Sequence, residues 1–250
     1  MYDELMRVFT LGNWPLLVVA AFTSLLGYLE YVYSFALMWR EHRSPFPIWM
    51  HTFYFAHDGS WTIIMLIAAA SRGWYWFFVA VAISLLSFSA FEAYNVYKAI
   101  TVERKEIWGD YYQGEVTVKQ AVINVGMQLA AFLCVVNILI GFMGPGSILQ
   151  WFLFTNMLMA AAPGVLWTKR GARENTRIGT SMGLAIVVLV GTVNTFLPTS
   201  MWVLAMPHTF NAPWYYITGV VFIAIAGFNL YNLARLPRKP RISGHRGPIW

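Results

Sequence analysis

Residues 121–143 read AVINVGMQLAAFLCVVNILIGFM, a run without a single charged side chain. A helix needs about 20 consecutive, mostly apolar residues to cross the hydrocarbon core of a bilayer. The run meets that length, and the amides of Asn124, Gln128 and Asn137 are its only strongly polar side chains. It therefore predicts a membrane-spanning helix, and with it the class of the whole chain.

Six further runs of comparable length accompany this one along the chain. They lie at 12–38, 47–70, 75–99, 147–168, 178–203 and 213–235. The run at 47–70 is the least apolar, because His51, His57, Asp58 and Gly59 interrupt it. The chain is 58% hydrophobic and 11% charged, whereas soluble domains carry roughly 25% charged residues. We predict one all-α integral membrane domain, a seven-transmembrane-helix bundle over residues 1–236, followed by a basic tail over 237–250.

The distribution of basic residues predicts how this bundle is oriented. With the N-terminus outside, the first, third and fifth loops, their helix ends and the tail hold 15 of the 17 basic residues. Only Arg7 and Arg72 fall elsewhere. Because cytoplasmic loops carry an excess of Lys and Arg, we predict an outside N-terminus and a cytoplasmic C-terminus. The net charge of +6 is interpreted as membrane orientation, not nucleic-acid binding, in a multi-pass protein of the cell membrane or endoplasmic reticulum.

Several smaller features carry predictions of their own. Tryptophans near predicted helix ends are expected to be interface anchors: Trp14, Trp49, Trp74, Trp76, Trp151, Trp167, Trp202 and Trp214. The single cysteine, Cys134, lies in an apolar run and is expected to be a buried, inert thiol. The third loop, 100–120, is expected to carry a short interfacial helix, whereas the tail is too polar and too rich in Pro and Gly to fold alone.

Three acids lie inside predicted spans: Glu30, Asp58 and Glu92. Ionisable groups at membrane depth are costly and therefore usually mark function. Asp58 has the densest polar surroundings, with His57 adjacent and His51 two helical turns earlier on about the same face. Burial that keeps this carboxyl protonated makes it a general acid. The alternative is a structural hydrogen bond between helices.

Glu92 and Glu30 have neighbours that suggest roles. Asn95 lies one turn after Glu92 and is expected to orient it, with Tyr94 close by. The alternative for Glu92 is a helix-end carboxylate that reaches water or a lysine. Glu30 is expected to pair with a group on another helix. All three acids are positioned to face one cavity in the inner half of the bundle.

The remaining polar residues give two further expectations. The amides Asn124, Gln128, Asn137, Asn156, Asn194, Asn229 and Asn232 are expected to form hydrogen bonds between helices. His51, His57 and Asp58 are plausible metal ligands. However, the two histidines are six residues apart and diverge on a straight helix, so we predict no metal and no other cofactor.

Three stretches resemble a known family. Residues 169–181 read KRGARENTRIGTS, followed by Gly183 and LVGT at 189–192; residues 91–97 read FEAYNVY, followed by EIW at 106–108; residues 216–219 and 228–231 read YITG and FNLY. They resemble the small seven-helix membrane terpene cyclases of fungal meroterpenoid and indole-diterpene pathways, which also have bacterial relatives. Members of that family protonate an epoxide or alkene of a prenylated substrate and fold the resulting cation into rings.

The resemblance implies roles for individual residues. The family carries a catalytic Glu in an N-x-x-W-E motif where residues 56–61 here read AHDGSW, so Asp58 would serve as the general acid, with His57 as a proton relay and Glu92 as a second acid or base. Asn229 stands where the last helix of the family has an acid. Binding of a lipophilic isoprenoid is assigned to Glu30, His51, Trp61, Tyr94, Asn95, Asn124, Gln128, Asn194, Asn229 and Tyr231.

Two other classes of function stay open. The first is a small-solute transporter or ligand-binding seven-helix protein that couples protons through the same acids. The second is a non-catalytic membrane subunit. Oligomeric state is not predicted by the sequence.

Overall fold

A computed structural model describes residues 2–239 and 249–250. In this part of the chain all regular structure is helical. The α-helices are α1 (Tyr2–Val8), α2 (Trp14–Glu41), α3 (Ile48–Ala70), α4 (Trp76–Lys98), α5 (Arg104–Trp108), α6 (Val118–Met143), α7 (Ile148–Glu174), α8 (Met182–Phe196), α9 (Met201–Ala205), α10 (Pro207–Phe210) and α11 (Pro213–Arg235). A π-helical turn, Ala99–Glu103, joins α4 to α5.

Six helical segments within the described residues are long and apolar enough to cross a membrane. They are Trp14–Glu41, Trp76–Trp108, Val118–Met143, Ile148–Glu174, Met182–Ala205 and Pro213–Arg235. The predicted class, an all-helical multi-pass membrane protein, is confirmed by these six segments. The predicted seventh span corresponds to α3, which has 23 residues and is not among these six.

The chain divides into two compact units. Unit 1 comprises the described residues up to Met6 together with Pro47–Ile148, and unit 2 comprises Arg7–Phe46 together with the described residues from Leu149 onward. Unit 1 thus contains α3, α4, α5 and α6. Unit 2 contains α2, nearly all of α7, and α8 to α11.

In unit 1, α3 packs against α4 and α6. More than half of its residues are buried. Two of its hydroxyl side chains bond to α6: Thr52 Oγ1 donates to Gln128 Oε1 at 3.2 Å, and Asn137 Nδ2 donates to Ser60 Oγ at 3.0 Å. Because neighbouring helices satisfy these groups, α3 tolerates them at a depth where lipid would not. The bonds confirm the predicted interhelical role of Gln128 and Asn137.

In unit 2, an apolar core lies between α2, α7, α8 and α11. Its buried members are Leu37, Phe46, Trp167, Leu184, Ala185, Val188 and Leu233. Close approach of α8 and α11 depends on Gly219, because a Cβ atom there would overlap the side chain of Phe196. Small residues at helix contacts allow this proximity in membrane proteins.

We therefore expect Gly219→Ala to lower the free energy of unfolding of the detergent-solubilised protein by about 1–3 kcal/mol, the usual cost of overpacking. Gly227→Ala is the matched control on the same helix, since a Cβ there meets no atom within 4 Å. It should be neutral or stabilising by up to about 1 kcal/mol. Equal effects of the two substitutions on chemical denaturation would contradict this account of the α8–α11 contact.

Ion pairs hold the helix ends at one end of unit 2. Lys239 Nζ lies 2.6 Å from Glu41 Oε1, with both side chains 6% exposed, and the other Glu41 oxygen accepts from the Gly179 backbone N–H. Arg43 pairs with Glu174 at 2.6 Å. Burial lowers the pKa of Lys239, and the Glu41 carboxylate opposes that change. Residues predicted to be cytoplasmic in the first loop, the fifth loop and the start of the tail therefore meet at the same end.

Two predicted spans have different bounds in the structure. The span predicted at 147–168 continues as α7 to Glu174, because the basic stretch that follows stays helical. The span predicted at 178–203 breaks after Phe196, at a segment that contains Pro198, and resumes as the short helix α9. The third loop does contain a short helix, α5, and it continues α4 through the π-helical turn. Most of the predicted tail, residues 240–248, lies outside the described residues.

Three tryptophans and the cysteine correct sequence predictions. Trp151, Trp167 and Trp202 are at most 3% exposed, so they are not interface anchors. The indole N–H of Trp167 donates to Pro45 O, and that of Trp202 donates to Leu149 O, each at 2.8 Å. Such backbone partners make burial of an indole favourable. Cys134 is exposed on the surface of α6, so the expectation of a buried thiol is wrong.

Candidate functional site

Four ionisable side chains form a polar centre in unit 1. His51, His57 and Asp58 come from α3 and Glu92 comes from α4. Each is at most 3% exposed. The two helices pack closely along their length, and Gly59 lies opposite Ser89 at this contact. The helix pairing thus collects in one place residues that are up to 41 positions apart in the sequence.

The first pair in this centre joins the two helices. His51 Nδ1 lies 2.5 Å from Glu92 Oε2, and both side chains are almost fully buried. The sequence predicted that Asn95 orients Glu92, and this is wrong. The partner is His51, which had been expected to contact substrate. Asn95 lies one turn from Glu92 on the same helix but makes no side-chain hydrogen bond to it. His51 on the facing helix α3 makes that contact.

The second pair lies within α3. His57 Nδ1 is 2.7 Å from Asp58 Oδ1, and the ring of Phe53 stacks on the His57 ring at a centroid distance of 5.9 Å. Gly59, next to Asp58, faces Ser89, which lies one turn before Glu92. The two pairs therefore lie at the same contact between α3 and α4.

The arrangement has a simple chemical consequence. Each pair combines a group that ionises as an anion with one that ionises as a cation, so a proton can move inside a pair without changing the charge of the centre. His and carboxylate side chains are the usual general acids and bases of proteins, and chains of such groups act as proton relays in membranes. The centre is suited to giving a proton to, or taking one from, a group brought next to it.

The predicted rival role, metal binding, finds little support in the geometry. His51 and His57 contact different carboxylates. Among the residues that the structure describes, no group of three His, Cys, Asp or Glu side chains is arranged to hold a metal ion. The absence of a metal and of other cofactors stays a prediction.

Other predicted binding residues of unit 1 lie around the centre or serve packing. Trp61 is fully buried on α3. Asn124 donates at 2.9 Å to the Tyr112 hydroxyl and at 2.8 Å to its own helix at Gln120 O, so it fixes the third loop to α6. Tyr94 faces the end of α4, where Lys98 Nζ lies 5.6 Å from its ring.

Four predicted binding residues belong to unit 2, and two of them, Asn194 and Asn229, join helices. Asn194 Nδ2 donates to Thr23 Oγ1 at 2.8 Å and joins α8 to α2, and Asn229 Nδ2 donates to Ala160 O at 3.1 Å and joins α11 to α7. Their predicted role between helices is thereby confirmed.

The other two predicted residues of unit 2 are Glu30 and Tyr231. Glu30 lies on α2 opposite Gly191 of α8. Tyr231 is 55% exposed, with the Arg235 guanidinium 5.6 Å from its ring. Substrate contact by both residues stays a prediction. A cavity shared by Glu30, Asp58 and Glu92 stays a prediction.

Sequence reasoning missed one residue of the buried face of α4. Ser89 is 8% exposed and lies one turn before Glu92. Its three-residue spacing from Glu92 was the available signal, since such spacing places both side chains on neighbouring parts of a helix surface.

Comparison with known proteins gives no identification. No family model matches the chain, and no match was found among the curated proteins or among the solved structures. The polar centre and the three stretches of resemblance are therefore the features of the chain that bear on its function.

Proposed function

We propose that this chain is a membrane enzyme that uses a buried acid to start cyclisation or isomerisation of a lipophilic isoprenoid. The observation that carries the proposal is the polar centre, in which two carboxyl groups are each paired with an imidazole and withdrawn from water. Placing such groups at this depth is costly and is rarely kept without a function. The resemblance to membrane terpene cyclases points to the same chemistry.

In this proposal each pair has its own role. Asp58 donates the proton to an alkene or epoxide of the substrate, and His57 then reprotonates Asp58. Glu92, held by His51, accepts the proton that the carbocation loses at the end. That proton passes from Glu92 back to His57, so the centre returns to its starting state with no net gain or loss of protons. Aromatic residues of α3 such as Phe53 and Trp61 stabilise the cation, since ring faces attract positive charge, and exclusion of water protects it.

The test is expression of the chain in a host that makes isoprenoids, followed by comparison of organic extracts. We expect a new cyclic product in cells with the native chain and none in cells with Asp58→Asn at equal membrane abundance. The proposal would be overturned if the extracts of the two strains had the same composition, or if the product persisted in the variant.

A second candidate is a proton-coupled transporter, because adjacent His–carboxylate pairs also occur in proton pathways. Purified protein in liposomes that contain a pH-sensitive dye distinguishes the two. Transport predicts proton flux that depends on Asp58, without chemical change of any lipid. The enzyme predicts no flux above that of protein-free liposomes.

We also propose that α3 is the seventh span and that the N-terminus lies outside. Its 23 residues cover about 35 Å at 1.5 Å per residue, and the loop charges support the direction. In a Cys134→Ser background, we expect Ser71→Cys to react with an impermeant maleimide in intact cells. His42→Cys should react only after permeabilisation. Equal labelling of both positions in intact cells would contradict the span.

A further inference from the structure

A strip of three polar side chains lies on the buried face of α4. Ser89, Glu92 and Asn95 are spaced three residues apart, and they are 8%, 2% and 0% exposed. On an α-helix, this spacing places Ser89 and Asn95 about 60° to either side of Glu92 and about 4.5 Å before and after it along the axis. Glu92 is therefore flanked on both sides by uncharged hydrogen-bonding groups.

These two flanking side chains differ from two amides on the neighbouring helix α6. Within the described residues, neither Oδ1 nor Nδ2 of Asn95 has a hydrogen-bond partner, and the same holds for Ser89 Oγ. Gln128 and Asn137, by contrast, each bond to α3. An unsatisfied buried polar group costs about 1–3 kcal/mol. Three such atoms flank Glu92, two on Asn95 and one on Ser89, and a bound molecule would supply their partners.

The surroundings of Asn95 indicate what kind of molecule this is. The next residue, Val96, packs against an apolar cluster formed by Trp108, Val116, Ala121 and Val125. On its other side lies the His51–Glu92 pair. The π-helical turn that begins at Ala99 follows directly, and such turns are frequent at functional sites. The site thus places a few hydrogen-bonding groups beside an apolar cluster.

We propose that Ser89 and Asn95 are the polar contacts of a ligand-binding site centred on Glu92, and that its ligand is an apolar molecule with a hydroxyl or carbonyl oxygen. The Asn95 amide donates to that oxygen and accepts from a hydroxyl hydrogen. Ser89 binds the ligand on the other side of Glu92. The proposal rests on the proposed function only in taking this ligand to be the substrate, and it requires no turnover.

The test compares thermal unfolding of the purified protein with two probes that differ mainly in one polar group, farnesol and farnesene. We expect farnesol to raise the unfolding temperature more than farnesene does. Asn95→Leu should abolish that difference and weaken farnesol binding at least about fivefold, the effect of one lost hydrogen bond. Ser89→Ala removes a single hydroxyl group, so it should also weaken farnesol binding and reduce the difference between the probes, but by less than Asn95→Leu.

The unfolding temperature without probe separates a binding role from a structural one. If the partner of Asn95 is a ligand, Asn95→Leu removes an unsatisfied group from the ligand-free protein. The unfolding temperature without probe should then stay unchanged or rise by about 2–4 °C. The comparison variant Asn137→Leu removes the bond to Ser60, leaves that buried hydroxyl without it, and should lower the unfolding temperature. A loss of stability in Asn95→Leu like that of Asn137→Leu overturns the proposal. So does equal response of the native protein to both probes, or a farnesol preference that survives in Asn95→Leu and Ser89→Ala. Loss of turnover in Asp58→Asn with farnesol binding retained would leave this site intact.

Discussion

Asp58→Asn is expected to reduce product formation by about 10²–10⁴-fold, the usual contribution of a positioned general acid. The amide has nearly the shape of the carboxyl group and can still bond to His57 Nδ1, which lies 2.7 Å from the native oxygen. It has no proton to give at any useful pH. The substitution therefore removes the chemistry and leaves the packing of α3 in place.

The measurement is product formed per amount of folded protein, with folding judged by a single symmetric peak in size-exclusion chromatography. Ile63→Ala is the control, since Ile63 lies on α3 but is 62% exposed, and it should keep nearly full activity. Asp58→Glu keeps the acid but moves it by one methylene group, so a partial loss is expected. Activity of Asp58→Asn near the native level would show that residue 58 is not the proton donor.

The part of the fold that depends on local sequence was predictable. Length and apolar character of the runs identify the helices, because a membrane imposes both on any segment that crosses it. The exception, α3, shows what hydropathy alone misses. His51, His57 and Asp58 interrupt its apolar run, yet His51 bonds to Glu92 of α4 and His57 bonds to Asp58. Thr52 and Ser60 bond to α6, and the partners on α4 and α6 depend on tertiary packing.

The candidate site was also predictable only where it depends on residues that are close in sequence. His57 and Asp58 are adjacent in sequence, and their interaction follows from that proximity. The His51–Glu92 bond joins two helices across 41 residues, and no local pattern specifies how α3 and α4 pair. Trp151, Trp167 and Trp202 were misassigned for the same reason. Position near a helix end suggested an interface, whereas neighbouring helices of unit 2 cover these rings.

His51→Leu is expected to destabilise the protein by about 1–3 kcal/mol, the cost of leaving one member of a buried hydrogen-bonded pair without the other. Glu92 would then be buried opposite a side chain that can neither donate to it nor neutralise it. Glu92→Leu should have a comparable effect, because it removes the carboxyl group that bonds to the His51 imidazole. The double variant, His51→Leu with Glu92→Leu, places two apolar side chains in contact and should recover most of the loss. Reversible unfolding in mixed detergent gives the four free energies of this cycle.

The size of the coupling energy in this cycle decides whether His51 and Glu92 act as one unit. If the pair is the dominant partner of each residue, the two single losses together exceed the double loss by at least about 2 kcal/mol, since contacting residues are strongly non-additive. Additive losses would mean that each residue has its main partner elsewhere, and the polar centre would reduce to His57 and Asp58. Activity gives a second measurement on the same variants. A double variant that is stable but inactive assigns the pair to catalysis, because stability alone would then no longer explain why two ionisable groups are kept at this depth.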